Sequence, residues 1–277
     1  MATAAARGRS APGRSPRSRW RAIPLELAFV FVGVLIYFGV RGMMMTNVEV
    51  ALENAQRLVT FERWLGVYVE PDLQTVVEGS EKLMTAMNWV YIWGHWPVIA
   101  VTLVWLFVRH PLGYRRYRNT MLLSGGIGLV AFTFFPVAPP RLADLGLVDT
   151  VSEYSTSYRL LQPPAFVNQY AAMPSLHVGW DLLMGLAIFT YARWRLVRVV
   201  GLLLPVLMVS SVVLTANHYL VDGVAGVALV LGSLLVVDRL QRRPRPALIT
   251  LPGQRADGAD ADDAPARDHA PGQWSDR

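Results

Sequence analysis

Two histidines, His177 and His218, lie at the start of apolar segments, and each is followed four residues later by an aspartate. His218 and Asp222 are expected to share one helix face, because positions i and i+4 are neighbours on a helix. A carboxylate placed there holds one imidazole nitrogen protonated and leaves the other free to attack an electrophile. Asp181 stands in the same relation to His177, and we interpret it as orienting His177 in preference to facing a polar bundle interior.

Two further residues could bind an anion near these histidines. Ser175 follows Pro174, a residue suited to the first turn of a helix, where free backbone N–H groups and the helix dipole attract negative charge. Arg141 ends the proline-rich stretch 135–141, and its guanidinium can hold a phosphate through two parallel hydrogen bonds. Together these residues predict a phosphate pocket with a nucleophile, an acid and a clamp.

Taken singly, the same residues have ordinary structural explanations. His177 could be an interfacial residue, Arg141 a headgroup anchor, and His218 with Asp222 a structural pair. Their conjunction favours a functional site, because polar residues at membrane depth are costly and usually functional. Two other classes stand as alternatives. One is a non-catalytic protein that binds or transports lipid, and the other is a metal-dependent hydrolase with His177, His218, Asp181 and Asp222 as ligands.

The elements that must position these residues are apolar blocks. Hydrophobic residues make up 53% of the 277 residues and charged residues 17%, whereas soluble domains carry about 25% charged residues. The blocks approach the length needed to cross a bilayer, so we predict an all-α, polytopic membrane protein with a six-transmembrane-helix bundle. His95, in the middle of the second block, is interpreted as an interhelical hydrogen-bonding residue. The six blocks are Ile23–Val40, Leu83–Val108, Thr120–Phe135, Pro174–Tyr191, Val199–Leu214 and Tyr219–Val237.

The formal net charge of +6 first suggests a nucleic-acid partner, but the placement of the charges argues against one. Most basic residues fall in four clusters, which lie on one side of the membrane if six spans alternate. The positive-inside rule makes that side cytoplasmic. We therefore predict a multi-pass plasma-membrane protein with both termini in the cytoplasm and the active site on the extracytoplasmic side. The clusters are 7–21, 109–118, 193–198 and 239–245.

The composition divides the chain into a membrane domain and two tails. Residues 1–20 and 246–277 are rich in Arg, Ser, Pro, Gly, Ala and Asp, which predicts disordered cytoplasmic tails. Residues 21–245 form the predicted catalytic domain. Within it, the acidic segment 43–82 has apolar residues at helical spacing, which predicts one or two helices on the outer membrane surface. The chain has no cysteine, which excludes disulfides and thiolate chemistry.

The motifs also resemble a known family. Pro174-Ser175-x-His177 and His218-x-x-x-Asp222 are similar to the second and third signature motifs of the type 2 phosphatidic acid phosphatase superfamily, which shares its active-site design with vanadium haloperoxidases. Other stretches are similar to the branch that contains inositol phosphorylceramide synthases, the aureobasidin-resistance-type inositolphosphotransferases. The resemblance covers about residues 25–240. The stretches that point to this branch are Phe135–Arg141, Asn217-His218-Tyr219, Glu62-Arg63-x-Leu65-Gly66 and Tyr91-x-x-x-His95-x-Pro97.

This resemblance implies specific roles. His218 would be the nucleophile that forms a phosphohistidine, with Asp222 orienting it and His177 protonating the leaving group. Arg141 and Ser175 would bind the phosphoryl oxygens, and neither a metal nor another cofactor would be needed. The substrate would be a membrane lipid phosphate. Water as acceptor would make the protein a phosphatase, and inositol or another alcohol would make it a transferase.

The sequence departs from the superfamily pattern at two places. The first motif, a lysine followed by Arg-Pro, is absent, and Arg141 is its nearest substitute. The arginine expected six residues before His218 is replaced by Val212. The predicted pocket therefore holds fewer positive charges, which favours a phosphodiester substrate over a phosphomonoester.

Overall fold

The computed structural model of the protein describes residues 16–43, 47–150 and 169–242. These residues form α-helices and one short 3-10 helix, with no β-strand among them, which confirms the predicted all-α class. The helices are α1 (Pro16–Met43), α2 (Val48–Leu65), α3 (Glu70–Glu78), α4 (Glu81–Trp93), α5 (Trp96–Arg109), α6 (Pro111–Phe134), a 3-10 turn at Pro140–Leu142, α7 (Leu176–Tyr191), α8 (Arg195–Leu214) and α9 (Leu220–Arg242).

The predicted tails, 1–20 and 246–277, fall mainly outside the described residues. Helix α1 begins at Pro16, so the end of the predicted amino-terminal tail is helical. The predicted acidic segment 43–82 contains two helices, α2 and α3. Helix α2 is capped by Asn47 before its first residue and by Gly66 after its last. The positive φ of Gly66, 70°, suits a residue without a side chain.

Among the described residues, two helices, α8 and α9, are long and apolar enough to cross a membrane. The second predicted span, Leu83–Val108, is not one straight helix, because α4 and α5 meet at an angle of 42°. Counted as one bent span, this pair raises the number to three. Helices α1, α6 and α7 correspond to the other predicted spans, and their crossing of the membrane stays a prediction.

Helix α7 packs against α5, α6, α8 and α9 and carries much of the core, including the buried Leu183 and Met184. Glycines allow two of these contacts to be very close. A Cβ atom on Gly179 would lie 2.7 Å from the carbonyl oxygen of Gly226 in α9, and one on Gly185 would lie 2.3 Å from that of Gly201 in α8. Small residues at helix crossings let backbones approach in this way.

One end of the bundle is tied together by ion pairs. Arg116 near the start of α6 donates two hydrogen bonds, of 2.6 and 2.7 Å, to Asp238 near the end of α9. Arg118 pairs with Glu26 in the first half of α1. The basic cluster 109–118 was expected in a connection between spans, but the helix begins at Pro111 and includes Arg115, Arg116 and Arg118. Proline at the first helical position suits this start.

Candidate active site

His218 stands in a tight turn between α8 and α9. The carbonyl oxygen of Val212 accepts hydrogen bonds from the backbone N–H groups of both Asn217 and His218, at 2.9 and 3.1 Å. Ala216 occupies the left-handed region with a φ of 53°, an unusual conformation for a residue with a side chain. The amide of Asn217 donates to the Thr215 hydroxyl oxygen at 2.8 Å, which braces the turn. The turn therefore holds the His218 backbone firmly.

The tautomer of the neutral His218 ring follows from its neighbours. Its Nδ1 atom lies 2.9 Å from the carbonyl oxygen of Ala172, which can only accept a hydrogen bond. Nδ1 therefore carries the hydrogen, and Nε2 carries the lone pair of the neutral ring. Nε2 lies 3.4 Å from Nδ1 of His177. His218 thus presents a nucleophilic nitrogen to a second histidine.

Asp222 lies one helical turn after His218, as the spacing predicts, and its side chain is completely buried. Its Oδ2 atom is 3.4 Å from His218 Nδ1 and accepts a hydrogen bond from the Tyr219 N–H at 3.0 Å. The shorter contact of His218 Nδ1 is to the Ala172 carbonyl. The Ala172 carbonyl and the Asp222 carboxylate therefore both help to orient the His218 ring. The carbonyl partner could not be recognised from residue types, because every residue has a backbone carbonyl.

His177 is the second residue of α7 and is surrounded by rings. Its imidazole centroid lies 4.5 Å from that of His95, 4.9 Å from the Tyr91 ring and 5.6 Å from the His218 ring. Asp181 contacts Nδ1 of His95 at 2.9 Å, so the observed partner of Asp181 is His95. This bond joins α7 to the start of α5 and confirms the interpretation of His95 as an interhelical hydrogen-bonding residue.

Ser175 is the cap residue of α7, and it lies just before the first turn. Pro174 precedes the cap, which corrects the expectation that this proline occupies the first helical position. The Ser175 hydroxyl oxygen accepts from the Val178 N–H at 3.4 Å, and the Ser175 N–H donates to the Asp222 carbonyl at 2.9 Å. The serine is fully buried. It therefore joins the starts of α7 and α9.

Arg141 reaches the same region from the 3-10 turn after α6. Its Nε atom donates to Asn217 Oδ1 at 3.1 Å, and its Nη1 atom contacts Asp149 at 2.5 Å. Its backbone N–H donates to the Ala216 carbonyl at 3.0 Å. Arg141 is thus bonded directly to the turn that carries His218, and its charge faces a carboxylate.

A family model described as PAP2 superfamily matches residues 56–236 of this sequence. The match spans both histidines, Asp222, Ser175 and Arg141. The chain belongs to the PAP2 superfamily. This membership indicates an enzyme of the lipid phosphatase type. No curated protein and no solved structure matches the chain.

The PAP2 superfamily match begins inside α2, the helix that brings one of two buried glutamates to the site. Glu62 Oε1 accepts a hydrogen bond from the Val221 N–H at 2.8 Å, and Glu70 Oε1 accepts from the Leu220 N–H at 2.8 Å. Burial, aided by the nearby Glu70 and Asp222 carboxylates, raises the pKa of Glu62 to about 8. In the sequence, Glu62 belongs to the stretch Glu62-Arg63-x-Leu65-Gly66, and Glu70 is one of several acidic residues in the segment 43–82. Nothing local in the sequence distinguishes a buried glutamate from an exposed one.

A metal-dependent hydrolase, the alternative raised by the sequence, would use four ligands, His177, His218, Asp181 and Asp222. Within residues 16–43, 47–150 and 169–242, no three His, Asp, Glu or Cys side chains form a group that could hold a metal ion. Asp181 contacts His95, and His218 Nδ1 contacts the carbonyl oxygen of Ala172. These four residues in this PAP2 superfamily chain are therefore not arranged as a metal site.

An apolar cavity of about 420 Å³ lies between α1, α5 and α6. Trp180 of α7 lies in its wall and stacks on the opposite side against His95, with ring centroids 6.0 Å apart. The Trp180 indole N–H donates to the Ser124 hydroxyl oxygen at 3.1 Å, which fixes the ring. Trp180 therefore contacts both the cavity and the His95 ring, and the mostly apolar lining of the cavity matches the chemistry of an acyl chain.

Proposed function

We propose that this protein is an integral-membrane lipid phosphatase or phosphotransferase that works through a phosphohistidine on His218. One observation carries the proposal: His218 Nε2, the nitrogen left without hydrogen, lies 3.4 Å from Nδ1 of His177. A nucleophile and a proton donor thus face each other in a site braced by Asp222. Covalent catalysis assisted by a general acid requires such a pair, with one residue attacking the phosphorus and the other protonating the leaving group.

In the first step, the phosphoryl group enters between the two histidines and replaces their hydrogen bond. The lone pair of His218 Nε2 forms a bond to phosphorus, and the bond between phosphorus and the leaving oxygen breaks. His177 gives its proton to that oxygen, so the leaving group departs as an alcohol. The imidazolium character that develops on His218 is stabilised by the Asp222 carboxylate, which lies 3.4 Å from Nδ1.

In the second step, an acceptor oxygen attacks phosphorus and the bond to His218 Nε2 breaks. His177, now neutral, takes the proton from the acceptor and returns to its starting state. Water as the acceptor gives hydrolysis, whereas inositol, a lipid hydroxyl or another alcohol gives transfer of the phosphoryl-linked group to that alcohol. The choice depends on how well the closed site excludes water.

We propose that Arg141 and Ser175 hold the phosphoryl oxygens. Arg141 lies beside His218 through its bond to Asn217. Its pairing with Asp149 and the presence of Val212 in place of an arginine leave little uncompensated positive charge. A phosphodiester carries one negative charge at phosphorus and needs less compensation than a monoester. We therefore favour a diester substrate and transfer of a phosphoinositol-type headgroup, in keeping with the resemblance to the inositolphosphotransferase branch.

We propose a six-span arrangement in the plasma membrane, with both termini in the cytoplasm and the site facing outward. The ion pairs of Arg116 with Asp238 and of Arg118 with Glu26 support it, because they gather two basic clusters at one end of the bundle. The absence of cysteine from the sequence makes labelling direct. In intact cells, an impermeant thiol reagent should label Glu49→Cys and should label Arg193→Cys only after lysis. The reverse pattern would refute the orientation.

Purified protein incubated with a panel of lipid phosphates and phosphodiesters, with and without inositol, tests the function. Hydrolysis would release free phosphate from a monoester or a phosphorylated headgroup from a diester, and a new phospholipid would indicate transfer. His218→Ala should abolish both reactions, and the wild-type protein should hold radioactive phosphorus in acid-labile, base-stable form. If His218→Ala left turnover unchanged, the phosphohistidine mechanism would be wrong. If the wild-type protein turned over none of the lipids yet bound them, a non-catalytic lipid-binding role would replace the proposal.

A further inference from the structure

Three carboxylates from three separate elements cap the start of α9. Asp222 Oδ2 accepts from the Tyr219 N–H at 3.0 Å, Glu70 Oε1 from the Leu220 N–H at 2.8 Å, and Glu62 Oε1 from the Val221 N–H at 2.8 Å. These N–H groups belong to the consecutive residues between His218 and Asp222. Each carboxylate therefore fixes one peptide unit between the proposed nucleophile and its partner.

All three carboxylates are fully buried. Glu62 Oε2, Glu70 Oε2 and Asp222 Oδ1 receive no hydrogen bond from any N–H or hydroxyl group in the described part of the chain. Glu62 and Glu70 are neighbours, because they accept from the N–H groups of adjacent residues, and each keeps one buried oxygen without a donor. Since ionised carboxylates only accept, these two oxygens can satisfy each other only if one of the carboxyl groups holds a proton. A like pair of carboxyl groups in one buried site holds such a proton strongly.

We propose that Glu62 and Glu70 form a carboxyl pair that shares one proton and positions His218 and Asp222 for catalysis. The inference rests on the proposed function of His218, and it adds two positioning residues that do not touch the substrate. The shared proton lets two glutamates cap adjacent N–H groups without bringing two further full charges beside Asp222. The helix dipole at the start of α9 favours the negative charge that remains.

The ionisable groups around the pair support this view. Glu62 on α2 faces Glu70 on α3 and Asp222 on α9, and the Tyr68 and Tyr219 phenols lie close by. The guanidinium of Arg63 lies over the Tyr68 ring, 4.9 Å from its centroid. The pKa of Glu62, raised from 4.5 to about 8, keeps its proton in place at neutral pH. Loss of the proton above pH 8 would place a second glutamate charge beside Asp222.

The test uses Glu62→Gln and Glu62→Ala, with Glu53→Gln as the control on the same helix. Glutamine keeps an oxygen that accepts from the Val221 N–H and an amide that donates to Glu70, so it mimics the protonated glutamate. Alanine removes the cap and leaves that N–H buried without a partner. Glu53 pairs with Arg57 on the surface, where both side chains are exposed, so its replacement should change nothing.

Steady-state turnover of the best lipid substrate at pH 7 should separate the variants. Glu62→Ala should lower kcat by about 10-fold to 100-fold with KM nearly unchanged, because displacing His218 affects the reaction and not substrate binding. Glu62→Gln should restore kcat close to the wild-type value. A Glu62→Gln variant as inactive as Glu62→Ala would overturn the shared proton, and a fully active Glu62→Ala variant would overturn the positioning role.

A second readout is independent of activity. Because the folded pKa of Glu62 exceeds its ordinary value, the stabilisation it contributes is complete below pH 4.5 and is lost as the pH rises to about 8. The melting temperature in detergent should therefore fall less steeply between pH 5 and pH 9 in Glu62→Gln than in wild type. Equal slopes would overturn the shared proton. If the wild-type protein has no lipid turnover but the slopes differ, the proposed function fails while the carboxyl pair stands.

Discussion

Replacing Gly226 with alanine should separate His177 from His218, the two histidines of the proposed mechanism. Gly226 lies one turn after Asp222 on α9. At this point α9 contacts the backbone of Ser175, the cap residue of α7. A Cβ atom there would lie 2.0 Å from the Ser175 carbonyl oxygen and 2.9 Å from its carbonyl carbon. Backbone atoms cannot move aside as a flexible side chain can, so the starts of α7 and α9 must move apart.

The size of the effect follows from these distances. Ordinary contact begins at 3.4 Å, so relief of the clash requires a displacement of about 1.4 Å. Ser175 is two residues before His177, so most of that displacement should reach the 3.4 Å gap between His177 Nδ1 and His218 Nε2. A misplacement of about 1 Å can lower a rate by about 100-fold. Overpacking of this kind also costs about 1–3 kcal/mol of stability.

The assay compares kcat and the melting temperature of purified Gly226→Ala with those of Gly223→Ala. Gly223 is on the same helix, but a Cβ atom there would lie 3.7 Å from a Val178 methyl group, an ordinary contact. Gly223→Ala should therefore match wild type, whereas Gly226→Ala should lose about two orders of magnitude in kcat. Wild-type kcat in a folded Gly226→Ala protein would show that the spacing of the two helix starts does not control the reaction.

Three further variants test other parts of the site. Asp222→Asn should lower kcat by about 10²-fold to 10⁴-fold, because the carboxylate that stabilises charge on His218 is lost, and normal kcat would exclude that role. Arg141→Lys should raise KM by about 10-fold or more through loss of the forked donor, measured on the same lipid. Gly126→Phe should fill the apolar cavity and raise KM for long-chain but not short-chain lipids, while Gly232→Phe, which also points into open space, should not.

The proximity of His218 and Asp222 could be predicted from the sequence because their relation is local. The spacing of His218 and Asp222 places both on one face of a helix, and the structure has them 3.4 Å apart. The apolar blocks likewise predict where the helices lie, because a long run of apolar residues is enough to indicate a helix in a membrane protein. The bend in the second block could not be predicted this way. It places His95 at the start of α5, where its ring reaches Asp181.

The partners of the candidate site residues could not be predicted, because they lie far away along the chain. Glu70 and Glu62 bond to backbone groups 150 and 159 residues later. The carbonyl oxygen that sets the tautomer of His218 belongs to Ala172, a residue whose side chain carries no chemical information. The expected bond of Asp181 to His177 rested on spacing alone. In the structure, the Asp181 carboxylate instead contacts the His95 ring, which the bend between α4 and α5 brings close to it.

The two helix starts that meet at the site are capped by groups of different charge, and this difference bears on where a phosphoryl group would bind. At α9 the backbone N–H groups after His218 are occupied by Asp222, Glu70 and Glu62, so further negative charge there is opposed. At α7 the cap is the neutral Ser175, and the positive end of that helix dipole is not offset by a carboxylate cap. On the proposed mechanism, the anion therefore lies against α7 and Arg141, and α9 supplies the nucleophile from the opposite side. This division also explains how a site with Val212 in place of an arginine could still bind phosphate, since α7 provides part of the missing positive potential.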